Sequence, residues 1–303
     1  MDALTPNRTS TRLRTKHHRE TLMKILNSWL RPTAAIAVAA SVLAAPSTAE
    51  AQSGPNAAST ASSASSVARG LEIALEADLR DAGFGDQTAD MLMTLRNAHG
   101  EESVRQLRNK TLEVEGDGDK SLVIFDQPRD VAGTAFLNYT HKTGQDDQWL
   151  FLPALRRVKR ISSSNKSGPF MGSEFAYEDI SSQEVEKYTY AFVEESTLDG
   201  RSVYVVERIP TDEKSGYARQ IAYYDQDEYR LMKVDFYDRK NELLKTLTYH
   251  GYQQYLDQYW RADRMEMVNH QTGKSTTLSW TDYAFQTGLT DRDFDQSALQ
   301  RAR

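Results

Sequence analysis

The stretch WLFLPALRRVKRISSSNKSGPFMGSEFAYEDI, Trp149 to Ile180, changes character three times in a single pass. Trp149 to Leu152 is apolar on both parities, as a strand covered on both faces would be. Pro153 ends the run, because proline has no N–H to donate to a strand ladder. PALR can then reverse the chain, so that RVKRI returns as a short partner strand. SSSNKSG has nothing to bury and reads as a mobile arm. Phe170, Met171, Phe175 and Tyr177 come next, and such side chains are costly to leave in water unless they cover something. Two readings stay open: the arm is a gate over an apolar cavity, or its aromatic half plugs the open end of a barrel.

Outward from this stretch the chain is mainly strands and turns. EGDGDK, KTGQDD, LDGR, DRKNE and NHQTGK are hairpin-type turns. Between them lie apolar-rich runs such as SLVIFDQP, GTAFLNYTHK, RSVYVVERIP, RQIAYYDQ and STTLSWTDYAF. Several alternate: Val203, Val205 and Glu207 face away from Tyr204, Val206 and Arg208. Consecutive strands at this spacing predict an antiparallel meander, closed or nearly closed, with one wet face and one dry face. The helices available to cover the dry face are few. VARGLEIALEADLRDAG places Leu71, Leu75, Leu79 and Ala82 on one stripe and stops at Gly83, which predicts an amphipathic helix. ADMLMTLRNAHG fits a helix through Met91, Leu92 and Leu95, or a strand through Met91, Met93 and Leu95.

The N-terminal part reads as an export signal. Basic TRLRTK and MKILNSWLR precede the apolar TAAIAVAASVLAAP, and AEAQ follows, so residues 1–51 form a predicted signal peptide cut before Gln52. Met23 opens a tidier leader than Met1. Residues 52–69 are small and polar, a disordered linker by composition, and residues 70–303 form one domain. Of the chain's 37 basic and 43 acidic side chains, the leader holds seven and three, which leaves a net charge of −10. An acidic protein is a poor partner for nucleic acid, whose binding is dominated by phosphate neutralisation. The absence of cysteine excludes disulfides, thiolate metal sites and a lipid-modified N-terminal cysteine.

No catalytic constellation is legible. His99, His141, His250 and His270 have no partners at metal-ligand spacing. Glu113, Glu115, Asp117 and Gly118 mimic a calcium loop, but Ile124 stands where the bidentate acid belongs, so the segment reads as a solvated turn. Nucleophile elbows, phosphate loops and dinucleotide fingerprints are missing. The expectation is a non-enzyme with no cofactor and no metal.

WLFLPALRRVKRI followed by MGSEFAYEDI resembles the signature of the LolA-like family of outer-membrane lipoprotein-sorting proteins. GDGDKSLVIFDQPRDVAGTAFL is similar to that family's preceding strands, and so is MLMTLRNAHGEESVRQLR, which the resemblance turns into a hairpin at NAHG. Glu174 departs from the pattern, where aspartate is common. The resemblance covers about residues 70–303. It implies a LolA/RseB-like fold, mainly β (α+β): a single unclosed antiparallel half-barrel with a helix and loop lid. It also implies a monomeric periplasmic carrier for a lipid or acylated protein, working with an inner-membrane transporter of the resistance-nodulation-division (RND) type. The cavity and gate residues would be Trp149, Phe151, Leu152, Phe170, Met171, Phe175 and Tyr177. Arg156, Arg157, Lys159 and Arg160 would meet an anionic headgroup or an acidic partner, or else guard an edge strand against aggregation. A lipid-sensing module that regulates a membrane partner is the alternative function.

Overall fold

WLFLPALRRVKRI is a hairpin at the rim of a large sheet. In the computed structural model, which describes residues 55–301, β5 (Asp147–Leu152) ends in a 3-10 turn, Pro153–Leu155. Arg156 takes a left-handed conformation, φ 48°, and β6 (Arg157–Ile161) returns as the edge strand.

Upstream lie β1 (Asp86–Arg96), β2 (Glu102–Leu112), β3 (Lys120–Gln127) and β4 (Ala135–Tyr139). Downstream lie β7 (Tyr188–Leu198), β8 (Arg201–Pro210), β9 (Tyr217–Asp225), β10 (Leu231–Asp238) and β11 (Leu243–His250). They are followed by β12 (Gln253–Tyr255), β13 (Tyr259–Arg261), β14 (Arg264–Asn269) and β15 (Ser275–Phe285). Apart from the separate β12–β13 hairpin, they form one 13-stranded antiparallel sheet in the order β6-β5-β4-β3-β2-β1-β15-β14-β11-β10-β9-β8-β7. The two ends of that order, β6 and β7, are consecutive in the chain and do not pair. The barrel is therefore unclosed, and residues 162–187 run from one free edge to the other as a belt. All five turns named from the sequence sit between strands.

The segment around Met91 is strand, with Met91 and Met93 buried and Leu92 40 % exposed, the alternation of a half-covered strand. It pairs with β2 across NAHG. The helix α1 (Pro55–Asp81) takes in most of the segment whose composition suggested a disordered linker. Alanine is the best helix former and serine is tolerated, so the run continues the amphipathic turns beside it. The deepest stripe of α1 is Gly70, Ile73 and Ala74, with Leu71, Leu75 and Ala77 packed beside it. Gly70 explains the choice: a Cβ there would lie 2.7 Å from the Phe192 backbone nitrogen of β7. The signal peptide expected at 1–51 lies outside the described residues. Among those residues no helix is long and apolar enough to cross a membrane.

Candidate functional site

Neighbouring Cα partners on a sheet point the same way, so register sorts the rim residues. β5 pairs with β6 as Leu152↔Arg157, Leu150↔Lys159 and Gln148↔Ile161 on one face, and as Phe151↔Val158 and Trp149↔Arg160 on the other. Leu150, Leu152 and Ile161 belong to the main core, so Arg157 and Lys159 share the concave face with them. Trp149, Phe151 and Val158 instead pack on the convex face, against Phe294 and Leu299 at and within the short helix α2 (Gln296–Arg301). That is why the apolar run is covered on both sides. It also removes Trp149 and Phe151 from the cavity: two of the seven expected lining residues sit behind the sheet. Arg160 goes with them and pairs with Asp147. Arg156 is exposed at the turn.

The aromatic half of the belt is a knuckle. Pro169 bridges Ala176, the Phe170 N–H donates to the Phe175 carbonyl at 2.6 Å, and Ser173 Oγ donates to the Phe170 carbonyl. Met171 at its tip is left-handed, φ 50°, and its carbonyl accepts from Arg105 Nη1 of β2 at 2.6 Å. Phe170 is 0 % exposed, with ring centroids 6.0 Å from Phe125, 5.2 Å from Phe136 and 5.5 Å from Tyr177. Phe175 is buried in the same core, and Met171 and Tyr177 pack against it. The structure thus brings Leu152, Phe170, Met171, Phe175 and Tyr177 together, with Phe170 and Phe175 as core members.

Polar ties from the sheet hold the knuckle. Lys245 Nζ of β11 reaches Asp179 Oδ2 at 2.7 Å and donates to the Glu174 carbonyl at 2.8 Å. Tyr217 Oη donates to both Asp179 oxygens, and Asn269 Nδ2 donates to Glu174 Oε2 at 2.7 Å. Burial, with Asp179 adjacent, pushes the Tyr217 hydroxyl well above its ordinary range. Glu178 accepts from Ser215 Oγ and the Gly216 N–H, yet burial keeps its carboxyl above its usual value. Where the belt returns to β7, burial raises Asp119 and Glu184 to about 7, with Glu113 and Asp81 repelling the first and Asp119 and Asp78 the second. At that point Gly118 approaches the Thr140 backbone so closely that a Cβ would lie 2.7 Å from it.

The polar half of the belt is different. Ser162, Ser164, Asn165 and Ser167 are exposed. Between residues 164–169 and the concave faces of β5 and β6 lies a cavity of about 400 Å³, lined by Leu150, Leu152, Ile161 and Tyr177 with Lys159 among them. His141 of the calcium-like turn bonds Asp117 at 2.7 Å and Asp147 at 3.4 Å, and the Asp117 carboxyl drops to about 2 beside it. Among the described residues no cluster of His, Asp and Glu is arranged for a metal ion.

Sequence reading missed Arg105, Asp179, Arg208 and Lys245. The signal was present: Lys245 shares its parity with core Leu247 in LLKTLTYH, and Arg208 shares its own with Val206. A cation on the dry face of an alternating strand needs a partner, and that partner comes from far along the chain.

A family model described as an uncharacterized protein matches residues 117–301. No curated protein matches. Among solved structures, an outer membrane lipoprotein-sorting protein domain from Vibrio parahaemolyticus is 61 % identical, with TM-score 0.76, covering 77 % of this chain and 99 % of its own. A DUF1329 family protein from Desulfovibrio piger is 30 % identical, with TM-score 0.73 and the same 77 % and 99 % coverage. A LolA superfamily protein from Nitrosomonas europaea, 21 % identical with TM-score 0.62, covers 76 % of this chain and 98 % of its own and shares the fold. On the first two identities, over nearly the full length of those chains, and on the unclosed half-barrel with its belt, this protein belongs to the LolA-like outer-membrane lipoprotein-sorting family.

Proposed function

We propose that the protein is a periplasmic carrier that shields the apolar part of a lipid, or of a lipoprotein's acyl chains, on its way towards the outer membrane. The observation that carries this reading is the cavity of about 400 Å³ between apolar side chains of β5–β6 and the polar, exposed half of the belt. It falls within the roughly 300–1,000 Å³ range of small-molecule sites. Hiding about ten methylenes, at about 0.8 kcal/mol each, would supply about 8 kcal/mol without any covalent chemistry. Arg157 and Lys159 stand on the same face at the rim, where positive charge draws an anionic amphiphile towards the opening. Residues 162–165 are the part that gives way, while the knuckle stays seated together with Lys166 and Gly168, whose carbonyls accept from the Glu178 and Tyr177 N–H groups. An RND-type inner-membrane transporter supplies direction, since a binding cavity alone has none.

A neutral fluorescent probe, N-phenyl-1-naphthylamine, tests the reading. The folded protein should enhance its emission saturably at micromolar concentration, and a lysophospholipid should displace it. Leu152→Asp, which puts a charge into the cavity wall, should abolish the enhancement with the sheet intact. Emission that rises only on unfolding would sink the carrier reading.

A further inference from the structure

One rung of the sheet carries an unusual set of side chains into the concave interior. Register aligns Tyr190, Arg208, Gln220, Phe236, Lys245 and Asn269 across β7, β8, β9, β10, β11 and β14. Every one of them is buried. The belt answers two of the polar members: Asp179 pairs with Lys245, and Glu174 accepts from Asn269. It sends no acid to Arg208.

Arg208 is 4 % exposed. Its Nε donates to Gln220 Oε1 at 2.6 Å, and its guanidinium carbon lies 5.0 Å from the centre of the Tyr188 ring. Among the described residues no carboxylate pairs with it, and its Nη groups have no hydrogen-bond acceptor. Tyr190, Tyr224 and Tyr249 complete its electrostatic surroundings. A buried lysine or carboxylate can escape its charge by changing protonation, whereas a guanidinium cannot. Aromatic faces offset part of the burial, but they leave the planar fork of N–H donors unused.

We propose that Arg208 is an interior receptor for the carboxylate of a long-chain carboxylic acid, held bidentately by its guanidinium. This rests on the carrier reading above and names the class of cargo. A single guanidinium can hold a carboxylate or a phosphate bidentately, but it neutralises only the singly charged carboxylate; a phosphate monoester carries about −1.5 to −2 and would leave charge uncompensated in a buried site. The other cation on the rung, Lys245, is already paired. Burial lifts the hydroxyls of Tyr188, to about 12, and of Tyr190 and Tyr249, so they stay protonated. Tyr188 Oη already donates to Gln183 Oε1 and Tyr190 Oη to the Val185 carbonyl, which leaves Tyr249 to add a donor.

A smaller cavity, about 70 Å³, lies between the belt and the two free sheet edges, lined by Gln148, Ile161, Glu178 and Tyr188. That is space for a carboxylate group, since a water occupies about 30 Å³. Ile161 lines the 400 Å³ cavity as well, so a chain in the larger space has its polar end beside the smaller one. Tyr188 lines the smaller cavity and also lies over Arg208, so turning that one side chain would join the two. The acids around this cavity are engaged: Asp146 by Lys187, Asp212 by Lys166, Glu178 by Ser215 and Gly216.

Calorimetric titration of the purified protein at pH 8 with laurate, 1-dodecanol and dodecyl phosphate tests the assignment. Laurate should bind about tenfold tighter than dodecanol, as a charge-assisted bidentate contact warrants, and tighter than dodecyl phosphate. Arg208→Gln should erase the preference over dodecanol. Gln220→Glu supplies an internal counter-ion, so it should keep or raise the Tm and erase the same preference; it covers the case in which Arg208→Gln fails to fold. Equal binding of laurate and dodecanol by the native protein, or an unchanged preference in Gln220→Glu, overturns the proposal and leaves the carrier reading standing. Tighter binding of dodecyl phosphate overturns the choice of carboxylate. Failure of all three ligands to bind removes both readings.

Discussion

Lys245 on the sheet and Asp179 on the belt form an ion pair at 2.7 Å with only 5 % and 6 % of their side chains exposed. Residues 66 apart in sequence thereby pin the middle of the belt inside the half-barrel. Breaking a buried pair by removing one partner leaves an uncompensated charge and costs about 3–5 kcal/mol. Lys245→Met should therefore lower the urea midpoint severely. The double variant Lys245→Met/Asp179→Leu should recover much of the loss, because no lone charge remains. Additive losses in the double variant would show that the pair is not the tie.

Phe170 and Met171 are neighbours with different roles. Phe170→Ala empties a site among Phe125, Phe136 and Tyr177 and should cost about 3–5 kcal/mol. Met171→Ala, at the half-exposed tip, should cost about 1 kcal/mol or less. Chemical denaturation of the two variants separates a seated plug from a loose flap; equal small losses would make the whole knuckle a flap.

Gly70 sits where α1 meets β7. Gly70→Ala should cost about 1–3 kcal/mol through overpacking against backbone, although alanine is the better helix former. A stabilised Gly70→Ala protein would mean that the helix can stand off from Phe192.

The Asp119 and Glu184 carboxyls are raised to about 7 in the folded protein, chiefly by burial, while unfolded they return to about 4. Between those pH values the folded state holds the extra protons. Stability from these groups is thus fully present below pH about 4 and is lost as pH rises through about 7. The urea midpoint should fall across that window, and Asp119→Asn/Glu184→Gln should flatten the fall. A slope unchanged in the double variant would assign it to other groups.

Amide exchange should divide the belt. Ser164, Lys166 and Ser167 should exchange fast and slow down when an amphiphile occupies the cavity beneath them, while Asn165 and Gly168, whose N–H groups donate to the Ser162 and Asn165 carbonyls, should exchange more slowly. Phe170 and Ser173, whose N–H groups donate to Phe175 and Phe170, should be protected throughout. Uniform protection from Ser164 to Asp179 would leave no moving part.

Much of this architecture was legible in local pattern. The turns, the β5–β6 reversal at Pro153 and the double-faced cover of Trp149–Leu152 all follow from spacing and from proline. Parity within RVKRI alone would have split Arg157 and Lys159 from Arg160. What it could not show was which face was concave, because that depends on α2, far along the chain, covering Trp149 and Phe151. The exposed half of the arm was readable from composition. The seating of the other half was not, since Arg105, Lys245 and Asn269 reach it from strands whose distance in the sequence hides their register. The segment 52–69, read as a linker, is helical from Pro55 onward for a local reason: small residues are silent about structure until a helix beside them extends.

The free edges β6 and β7 follow one another in the chain, so the gap between them is bridged by covalent backbone where a closed barrel would use hydrogen bonds. The molecule has a seam laced by a leash. It can widen along that seam without breaking a strand-to-strand rung, but only once the belt's ties to one side or the other, Gln148 on β5 or Lys245 on β11, let go; the span of chain between Ile161 and Tyr188 then limits how far. Shortening the leash would shut the seam; lengthening it would change how bulky a guest can enter and leave the sheet's own stability almost untouched.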